Sequence, residues 1–116
     1  KVIHPVSYKE MVSLLSYCRL LISDSGGASK EASFVGKKCI YILNFDVWGE
    51  LIKEGYIQSV DMDNEKSVGE ALEEIRDIVT NGREMKRTNV FGDGTASVKI
   101  ADIITGILGG NDNEGK

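Results

Sequence analysis

The sequence is poor in the residues that build cross-linked or metal-bound folds. Its 116 residues include only two cysteines, one histidine and one proline. Cys18 and Cys39 are distant from each other and lie among apolar residues, so we expect free thiols in a reducing cytoplasm rather than a disulfide framework. One histidine and two distant cysteines do not have the spacing of zinc ligands. We therefore predict neither a metal site nor a cofactor.

Long apolar runs and an excess of positive charge are also missing. The apolar runs are only a few residues long, too short to cross a membrane. The formal net charge is −4 at pH 7, and no segment collects Lys and Arg, which argues against a nucleic-acid partner. With 41% apolar and 28% charged residues, the composition is typical of one globular domain without a membrane or nucleic-acid partner.

Short apolar runs alternate with segments of helical periodicity. The predicted strands are Leu20–Ile22, covered on both faces, Cys39–Leu43, and Tyr56–Val60 at a sheet edge, with Val2–Ile3 as the end of a fourth. The first predicted helix starts at Ser7, the second covers 28–35, and the third is a short stretch ending at Gly55. The fourth covers 64–81 after a cap at Asp63 or Asn64, and a helical turn follows at 83–87. The last helix covers 96–108 after a cap at Asp93 or Thr95.

This alternation is typical of parallel strands joined by right-handed crossovers. We predict an α/β fold, a Rossmann-like half-domain with a small parallel sheet of about four strands flanked by helices. Residues 1–108 form the domain, and the glycine-rich polar residues 109–116 are expected to form a disordered tail. Because the chain starts almost inside a strand, we expect it to be half of a doubly wound domain.

The segment SDSGGASKEA, residues 23–32, joins a predicted strand to a predicted helix. Ligands of open parallel sheets bind outside the carboxyl ends of the strands. The first N–H groups of a helix are unpaired, and Gly26 and Gly27 let a phosphate approach them, while Ser25 can add a hydroxyl. Glu31, about one turn into the helix, can accept hydrogen bonds from ribose hydroxyls. The segment thus predicts a nucleotide site.

The same residues also have a purely structural interpretation. Asp24 or Ser25 can simply cap the helix, the glycines can serve a tight turn, and Glu31 can be solvated. The segment lacks the spacing of a P-loop and of the dinucleotide fingerprint. Ser25 lacks the G-x-S-x-G elbow of a nucleophile. The residues alone leave both interpretations open.

Longer motifs are more specific than residues Asp24–Gly27, which we call the glycine loop. Asp24–Lys37 fills the pattern D-S-G-G-x-x-x-E-A-x-x-x-G-K, and Asn89–Ser97 is similar to N-P-[YF]-G-D-G-x-A-[SC]. Ile3–Pro5 with Tyr8 is a weaker third match. In order and spacing these motifs resemble the C-terminal domain of the non-hydrolysing UDP-N-acetylglucosamine 2-epimerases. The resemblance implies the C-terminal portion of a glycosyltransferase-B-type fold that holds the UDP part of a nucleotide sugar.

The resemblance also implies a role for each site residue. Ser25, Gly26 and Gly27 match the diphosphate-binding positions, and Glu31 matches the ribose-binding carboxylate. Met11 stands where the family usually has a phenylalanine against the uracil, and a thioether can still pack on the base.

Two departures from the family pattern matter, and the single histidine lies at a variable position. His4 does not match the family's substrate-contacting histidine, and the family proline after Gly-Lys is replaced by Lys38. The family's Arg-Pro-Glu becomes Trp48-Gly49-Glu50, which removes a positive charge. Trp48 is predicted either to stack on a base or sugar or to pack in the fold.

The resemblance implies a reaction in which UDP is eliminated and added back while the proton at C2 returns on the other face of the sugar, with acids and bases chiefly from an N-terminal domain. In this chain we expect Asp61 and Asp63 to lie in a loop, and Glu73 and Glu74 to lie on a solvated helix face. Neither is expected to be a catalytic pair. We therefore expect the UDP-binding C-terminal portion of an enzyme interconverting UDP-GlcNAc and UDP-ManNAc, with no catalytic residue of its own and inactive alone.

The sequence leaves two alternatives, namely a non-catalytic nucleotide-sugar-binding or interaction module and a fragment of a UDP-sugar glycosyltransferase. The expected partners are UDP or a UDP-sugar, a chain carrying the missing domain, and further copies in a homo-oligomer. Self-association is expected because a half-domain exposes an apolar sheet edge and helix faces.

Overall fold

The computed structural model describes residues 1–45 and 47–110. Within these ranges the elements, in chain order, are α1 (Tyr8–Tyr17), β1 (Leu20–Ser23), α2 (Gly26–Phe34), β2 (Lys38–Tyr41), α3 (Gly49–Lys53), β3 (Ile57–Ser59), α4 (Glu65–Asn81) and α5 (Ala96–Gly110). None of the described helices is long and apolar enough to cross a membrane.

The three strands form one parallel sheet in the order β1-β2-β3. Leu20 pairs with Lys38 and Cys39 pairs with Ile57. The predicted α/β class and the edge position of the last strand are confirmed. The carboxyl ends of all three strands meet at one edge of the sheet, which we call the carboxyl edge.

The described part of the sheet has three strands where about four were predicted. Val2–Ile3 is not a strand, and Val2 is 98% exposed. A pair of apolar residues followed closely by Pro5 cannot build a strand without a neighbour, and β1 is the edge on that side. The prediction that the β1 segment is covered on both faces was also wrong, because Ile22 is 51% exposed at this edge.

Successive residues of β2 pack into two apolar clusters on opposite faces of the sheet, as the two-residue period of a strand requires. Cys39 and Tyr41 pack with Leu51 and Ile57 on the face that carries α3. Ile40 packs instead with Val60 and Ala71, and so faces α4. The sheet is therefore the middle layer of a small three-layer core.

The segment after α4 is extended, so the short helical turn predicted at 83–87 was wrong. The tyrosine hydroxyl of Tyr56 donates to the carbonyl of Lys86 at 2.5 Å, and the side chain of Arg83 pairs with Glu74 and Asp77. Local sequence favoured a helix here, but these contacts to distant residues hold the backbone against the turn at Gly36.

Helix α5 begins after the predicted cap, where the Asp93 carboxylate accepts the Thr95 N–H at 3.0 Å. It ends at Gly110, two residues into the segment 109–116 that was predicted as a tail, and residues 111–116 lie outside the described residues. All of its described side chains are exposed. The molecule is elongated, with extents of 72 × 29 × 25 Å.

Candidate functional site

The glycine loop lies at the carboxyl edge of the sheet. Strand β1 ends at Ser23, and helix α2 begins at Gly26 only three residues later. The first turn of α2 therefore opens at the edge where parallel sheets bind ligands, as the sequence predicted.

Ser25 is the N-cap of α2. Its Oγ accepts the Ala28 N–H at 3.3 Å, and its own N–H donates to Ser23 Oγ at 3.0 Å. The N–H groups of Gly26 and Gly27 have no acceptor among the described residues. Two unpaired donors at the positive end of a nine-residue helix can bind an anion. The capping interpretation and the anion interpretation are thus compatible.

The two glycines are needed for different reasons. A Cβ on Gly26 would lie 2.7 Å from Val47 Cγ1, so packing alone requires a glycine there. A Cβ on Gly27 would meet nothing closer than Ser25 Oγ at 3.9 Å. Gly27 is exposed and helical, where alanine would give a more stable helix. Packing explains Gly26, but it does not explain Gly27.

The other two predicted site residues lie on two helices that pack against each other. Glu31 is four residues after Gly27 in α2, so the two share a helix face. Met11 is half-buried on α1, on the same face as the buried Leu15, and α1 packs against α2. The fold therefore brings Ser25, Gly26, Gly27 and Glu31 together on one element, with Met11 on the helix beside it.

An aromatic cluster beside the glycine loop was not predicted as a unit. The Trp48 indole N–H donates to the Gly26 carbonyl at 2.7 Å. The ring of Phe91 lies edge-on to Trp48 at 5.5 Å and to Phe34 at 6.4 Å between centroids. The Lys30 Nζ lies 4.4 Å from the centroid of the Trp48 ring and 4.3 Å from that of Phe91. We call Lys30, Phe34, Trp48 and Phe91 the lysine–aromatic cluster.

The cluster joins two motifs that are distant in sequence. Phe91 belongs to the NVFGDG loop, and Lys30 belongs to the helix that follows the glycine loop. For Trp48 the sequence left stacking and packing open, and the structure shows packing against Phe91 and α2. Trp48 and Phe91 are aromatic residues that lie within motifs and outside the apolar runs, and this could have indicated the cluster. Nothing in the local sequence indicated that they contact Lys30.

One carboxylate of each acidic pair considered in the sequence has a structural partner, and Glu73 is exposed on α4. The Asp61 carboxylate accepts the Asp63 N–H at 3.1 Å within a loop. Glu74 pairs with Arg83 and lies 3.7 Å from the Lys38 Nζ. Among the described residues, no group of three or more His, Cys, Asp and Glu side chains could hold a metal ion.

An open cavity of about 370 Å³ also lies at the carboxyl edge, beyond β2 and β3. It is lined by Asn44, Phe45, Ser59, Asp61 and Ser67. The Ser67 hydroxyl accepts the Asp61 N–H at 3.0 Å, whereas the buried Ser59 Oγ has no partner among the described residues. The cavity extends the polar surface of this edge away from the glycine loop.

Fold and site together define an α/β protein with a helix N-terminus open at the carboxyl edge of a parallel sheet. A family model described as UDP-N-acetylglucosamine 2-epimerase matches residues 1–105. The chain therefore belongs to the UDP-N-acetylglucosamine 2-epimerase family, and the resemblance drawn from the motifs is confirmed.

Individual relatives agree with the family model. The chain is 34% identical over 104 residues to a UDP-N-acetylglucosamine 2-epimerase homolog of Methanococcus maripaludis, covering 90% of this chain and 28% of the relative. It is 32% identical over 100 residues to a putative UDP-N-acetylglucosamine 2-epimerase of Clostridium acetobutylicum, covering 86% and 26%. It is 33% identical over 104 residues to a UDP-2,3-diacetamido-2,3-dideoxy-D-glucuronate 2-epimerase of Pseudomonas aeruginosa, covering 90% and 28%.

A solved structure shows the same fold. The UDP-GlcNAc 2-epimerase of Methanocaldococcus jannaschii superposes with a TM-score of 0.70 at 28% identity, over 90% of this chain and 28% of that one. The chain thus spans about a quarter of the length of the relatives that it matches. The predicted fold class, a small parallel sheet flanked by helices as in the glycosyltransferase-B type, is confirmed.

Proposed function

We propose that this chain is the UDP-binding C-terminal portion of a nucleotide-sugar 2-epimerase. The relatives' names specify two different sugars, N-acetylglucosamine and 2,3-diacetamido-2,3-dideoxy-D-glucuronate, but both sugars are attached to UDP. The part of the substrate common to these names is therefore the UDP group. The glycine loop, shared as a motif with that family, is the proposed place of binding.

The observation that carries the proposal is the first turn of α2. Gly27 has no packing reason to be glycine, and its N–H and that of Gly26 lack acceptors among the described residues. A diphosphate can approach these donors closely because no Cβ stands in the way. Ser25 Oγ lies at the same turn. We propose that these three residues bind the diphosphate of UDP.

Glu31 and Met11 bind the nucleoside in this proposal. Glu31 is half-buried, shares the face of Gly27, and can accept hydrogen bonds from two vicinal ribose hydroxyls. Met11 packs its thioether on the uracil, with less area than an aromatic ring. The order diphosphate, ribose and base then runs from the start of α2 toward α1.

The chemical steps need residues beyond these. Epimerisation removes and returns the proton at C2 of the sugar, which requires positioned acids and bases. Among the described carboxylates of these pairs, Asp61 is engaged in a loop, Glu74 in a salt-bridge network, and Glu73 is exposed on α4. We propose that a region corresponding to the rest of the relatives' length supplies the catalytic groups, and that this chain is inactive without it. UDP-GlcNAc and UDP-ManNAc are the proposed sugar pair, and the cytoplasm is the proposed location.

Titration of the 116-residue chain with UDP, followed by amide NMR shifts, tests the binding proposal. We expect saturable shifts at Ser25, Gly26 and Gly27. Glu31→Ala should weaken binding roughly tenfold, because hydrogen bonds to a charged group are lost. Glu73→Ala, which removes an exposed carboxylate from α4, is the matched control and should bind as the unsubstituted chain does. Absence of shifts at millimolar UDP would contradict the proposal.

A non-catalytic nucleotide-sugar-binding module is the second candidate. It is favoured by Trp48, whose indole packs against Phe91 in the place where the family motif has arginine. A chimera separates the two candidates: residues 1–105 replace the matching region of the Methanococcus maripaludis relative. Epimerase activity within about tenfold of that relative supports the enzyme, since tenfold is only about 1.4 kcal/mol of transition-state stabilisation. A folded chimera that binds UDP but does not epimerise supports the module.

A further inference from the structure

We infer that Lys30 is an anion-binding residue that contacts the diphosphate of UDP, and that Trp48 and Phe91 position it. This inference rests on the proposed function and adds a residue that the motif comparison did not single out. It follows from the geometry of the lysine–aromatic cluster and from the charges around the first turn of α2.

The ammonium group of Lys30 is held between two rings. Its Nζ lies 4.4 Å from the centroid of Trp48 and 4.3 Å from that of Phe91, both within the range of cation–π attraction. A free lysine side chain loses rotational freedom about several bonds when it binds a ligand, and this loss of entropy opposes binding. Contact with two rings restricts these bonds before the ligand arrives, so the charge is pre-organised.

Trp48 connects this charge to the glycine loop. Its indole N–H donates to the Gly26 carbonyl at 2.7 Å, so the ring that supports Lys30 is fixed to the first residue of α2. Lys30 lies four residues after Gly26, a rise of about 6 Å along the helix. Helical side chains lean toward the N-terminus of their helix, so the lysine extends back along α2 toward its first turn.

The rings satisfy the charge of Lys30 but not its hydrogen bonds. An ammonium has three N–H donors, and an aromatic face is only a weak acceptor for them. Among the described residues the Lys30 Nζ forms neither a hydrogen bond to an oxygen nor an ion pair. Half-buried and close to the carboxyl edge, it can donate to an incoming phosphate oxygen.

The local charges favour such a cation. Asp24 and Glu31 place two carboxylates around the first turns of α2, and Lys30 is the only cationic residue between Leu20 and Gly36. Without Lys30, a diphosphate at the two unpaired N–H groups and the helix dipole would lie beside two carboxylates of the same charge sign. Lys30 offsets one of them.

The test is a set of NMR titrations of the 116-residue chain with UDP and with uridine, which lacks the diphosphate. Lys30→Gln should weaken UDP binding roughly tenfold or more and leave uridine binding unchanged. Lys30→Arg should retain UDP binding, because a guanidinium keeps the charge and stacks on aromatic faces. Trp48→Leu should weaken UDP binding by a smaller factor, with Lys30 still present but no longer held.

Two further variants make the result specific. Lys53→Gln removes the same charge from an exposed position on α3 and should bind UDP as the unsubstituted chain does. Trp48→Arg in the Lys30→Gln background restores a cation beside Gly26 and should recover UDP binding.

Each failure has a distinct meaning. Equal UDP affinities of Lys30→Gln and Lys53→Gln overturn the inference and leave the proposed function intact. An equal loss of UDP and uridine binding in Lys30→Gln also overturns it, because the lysine would then support the fold rather than the diphosphate. Absence of UDP binding by the unsubstituted chain overturns both proposals.

Discussion

Lys38 and Cys39 are neighbours on β2 whose side chains point to opposite faces, and burial moves their pKa values in opposite directions. Burial lowers the pKa of Lys38 and the Glu74 carboxylate partly offsets this, while the Lys38 Nζ donates to the Gly55 carbonyl at 2.7 Å. Burial raises the pKa of the Cys39 thiol to about 12. Burial thus favours the uncharged form of each group.

The Cys39 thiol predicts a loss of stability in alkali. Its pKa is higher in the folded chain than the ordinary value of 9.0, so the folded chain holds the proton longer than the unfolded chain does. The stabilisation is complete below pH 9 and is lost as the pH rises toward 12. Between about pH 9 and 10 the free energy of unfolding should fall by about 1 kcal/mol more than in Cys39→Ala.

Urea unfolding of both chains under reducing conditions measures this difference. The comparison with Cys39→Ala is needed because Lys38 acts in the opposite sense: its lowered pKa raises stability as the pH approaches 10.5. Parallel pH profiles of the two chains would contradict the prediction.

At the residue scale, motif spacing predicted where the candidate residues lie in the fold but not which side chains surround them. Ser25, Gly26, Gly27 and Glu31 lie together because a glycine loop followed by a helix fixes their geometry locally. The position of Lys30 between two aromatic rings could not be predicted. Its partners Trp48 and Phe91 come from two other loops, and only the folded chain brings their rings beside α2.

At the element scale, the turn between α2 and β2 depends on an extended segment far along the chain. Gly36 has φ +73°, and a Cβ there would overlap the carbonyl oxygen of Met85. Gly55 has a similar φ of +82°, but a Cβ there would meet nothing within 4 Å. The two glycines share a backbone conformation and differ only in the space around them.

Gly36→Ala should therefore cost about 3 kcal/mol of folding free energy, from left-handed strain together with overpacking. Gly55→Ala should cost about 1 kcal/mol from strain alone. Urea unfolding midpoints of the two variants measure the difference. Equal losses in the two variants would show that the 83–87 segment does not pack on this turn.

The periodicity of the sequence predicted the type of each element, but it did not predict which segments of the chain pack against one another. The helices α1, α2, α4 and α5 and the strands β1, β2 and β3 were all predicted, with ends shifted by a few residues. The errors at Val2–Ile3 and 83–87 have one cause. In both places the local pattern favours an element, but the partner that allows or prevents it lies elsewhere in the chain.

At the scale of the whole molecule, α5 extends from the three-layer core with an uncovered apolar stripe. The residues of this stripe are Ile100, Ile103, Ile104, Ile107 and Leu108, and each is more than half exposed. The radius of gyration is 19.6 Å, against about 13 Å for a compact chain of this length. An isolated helix of 15 residues is marginal in water, so α5 needs a surface to pack against.

We expect further copies of the chain to provide that surface, so the chain should sediment as a dimer or larger assembly. Ile103→Glu combined with Ile107→Glu should shift it to monomer, because charges replace the centre of the stripe. Thr105→Glu, an exposed polar position on the same helix, is the control and should leave the assembly intact. A monomeric unsubstituted chain at the highest attainable concentration would contradict the expectation.

The lysine–aromatic cluster gives the chain a built-in optical reporter. Trp48 is the only tryptophan of the sequence, and its indole N–H donates a hydrogen bond to the Gly26 carbonyl while the ring lies against Lys30. Emission excited at the red edge of the absorption band therefore comes from one place, the entrance to the glycine loop. An anion that approaches the neighbouring cation alters the field across the indole and shifts its emission wavelength. Occupancy of this loop can thus be followed in unlabelled protein, on the time scale of stopped flow.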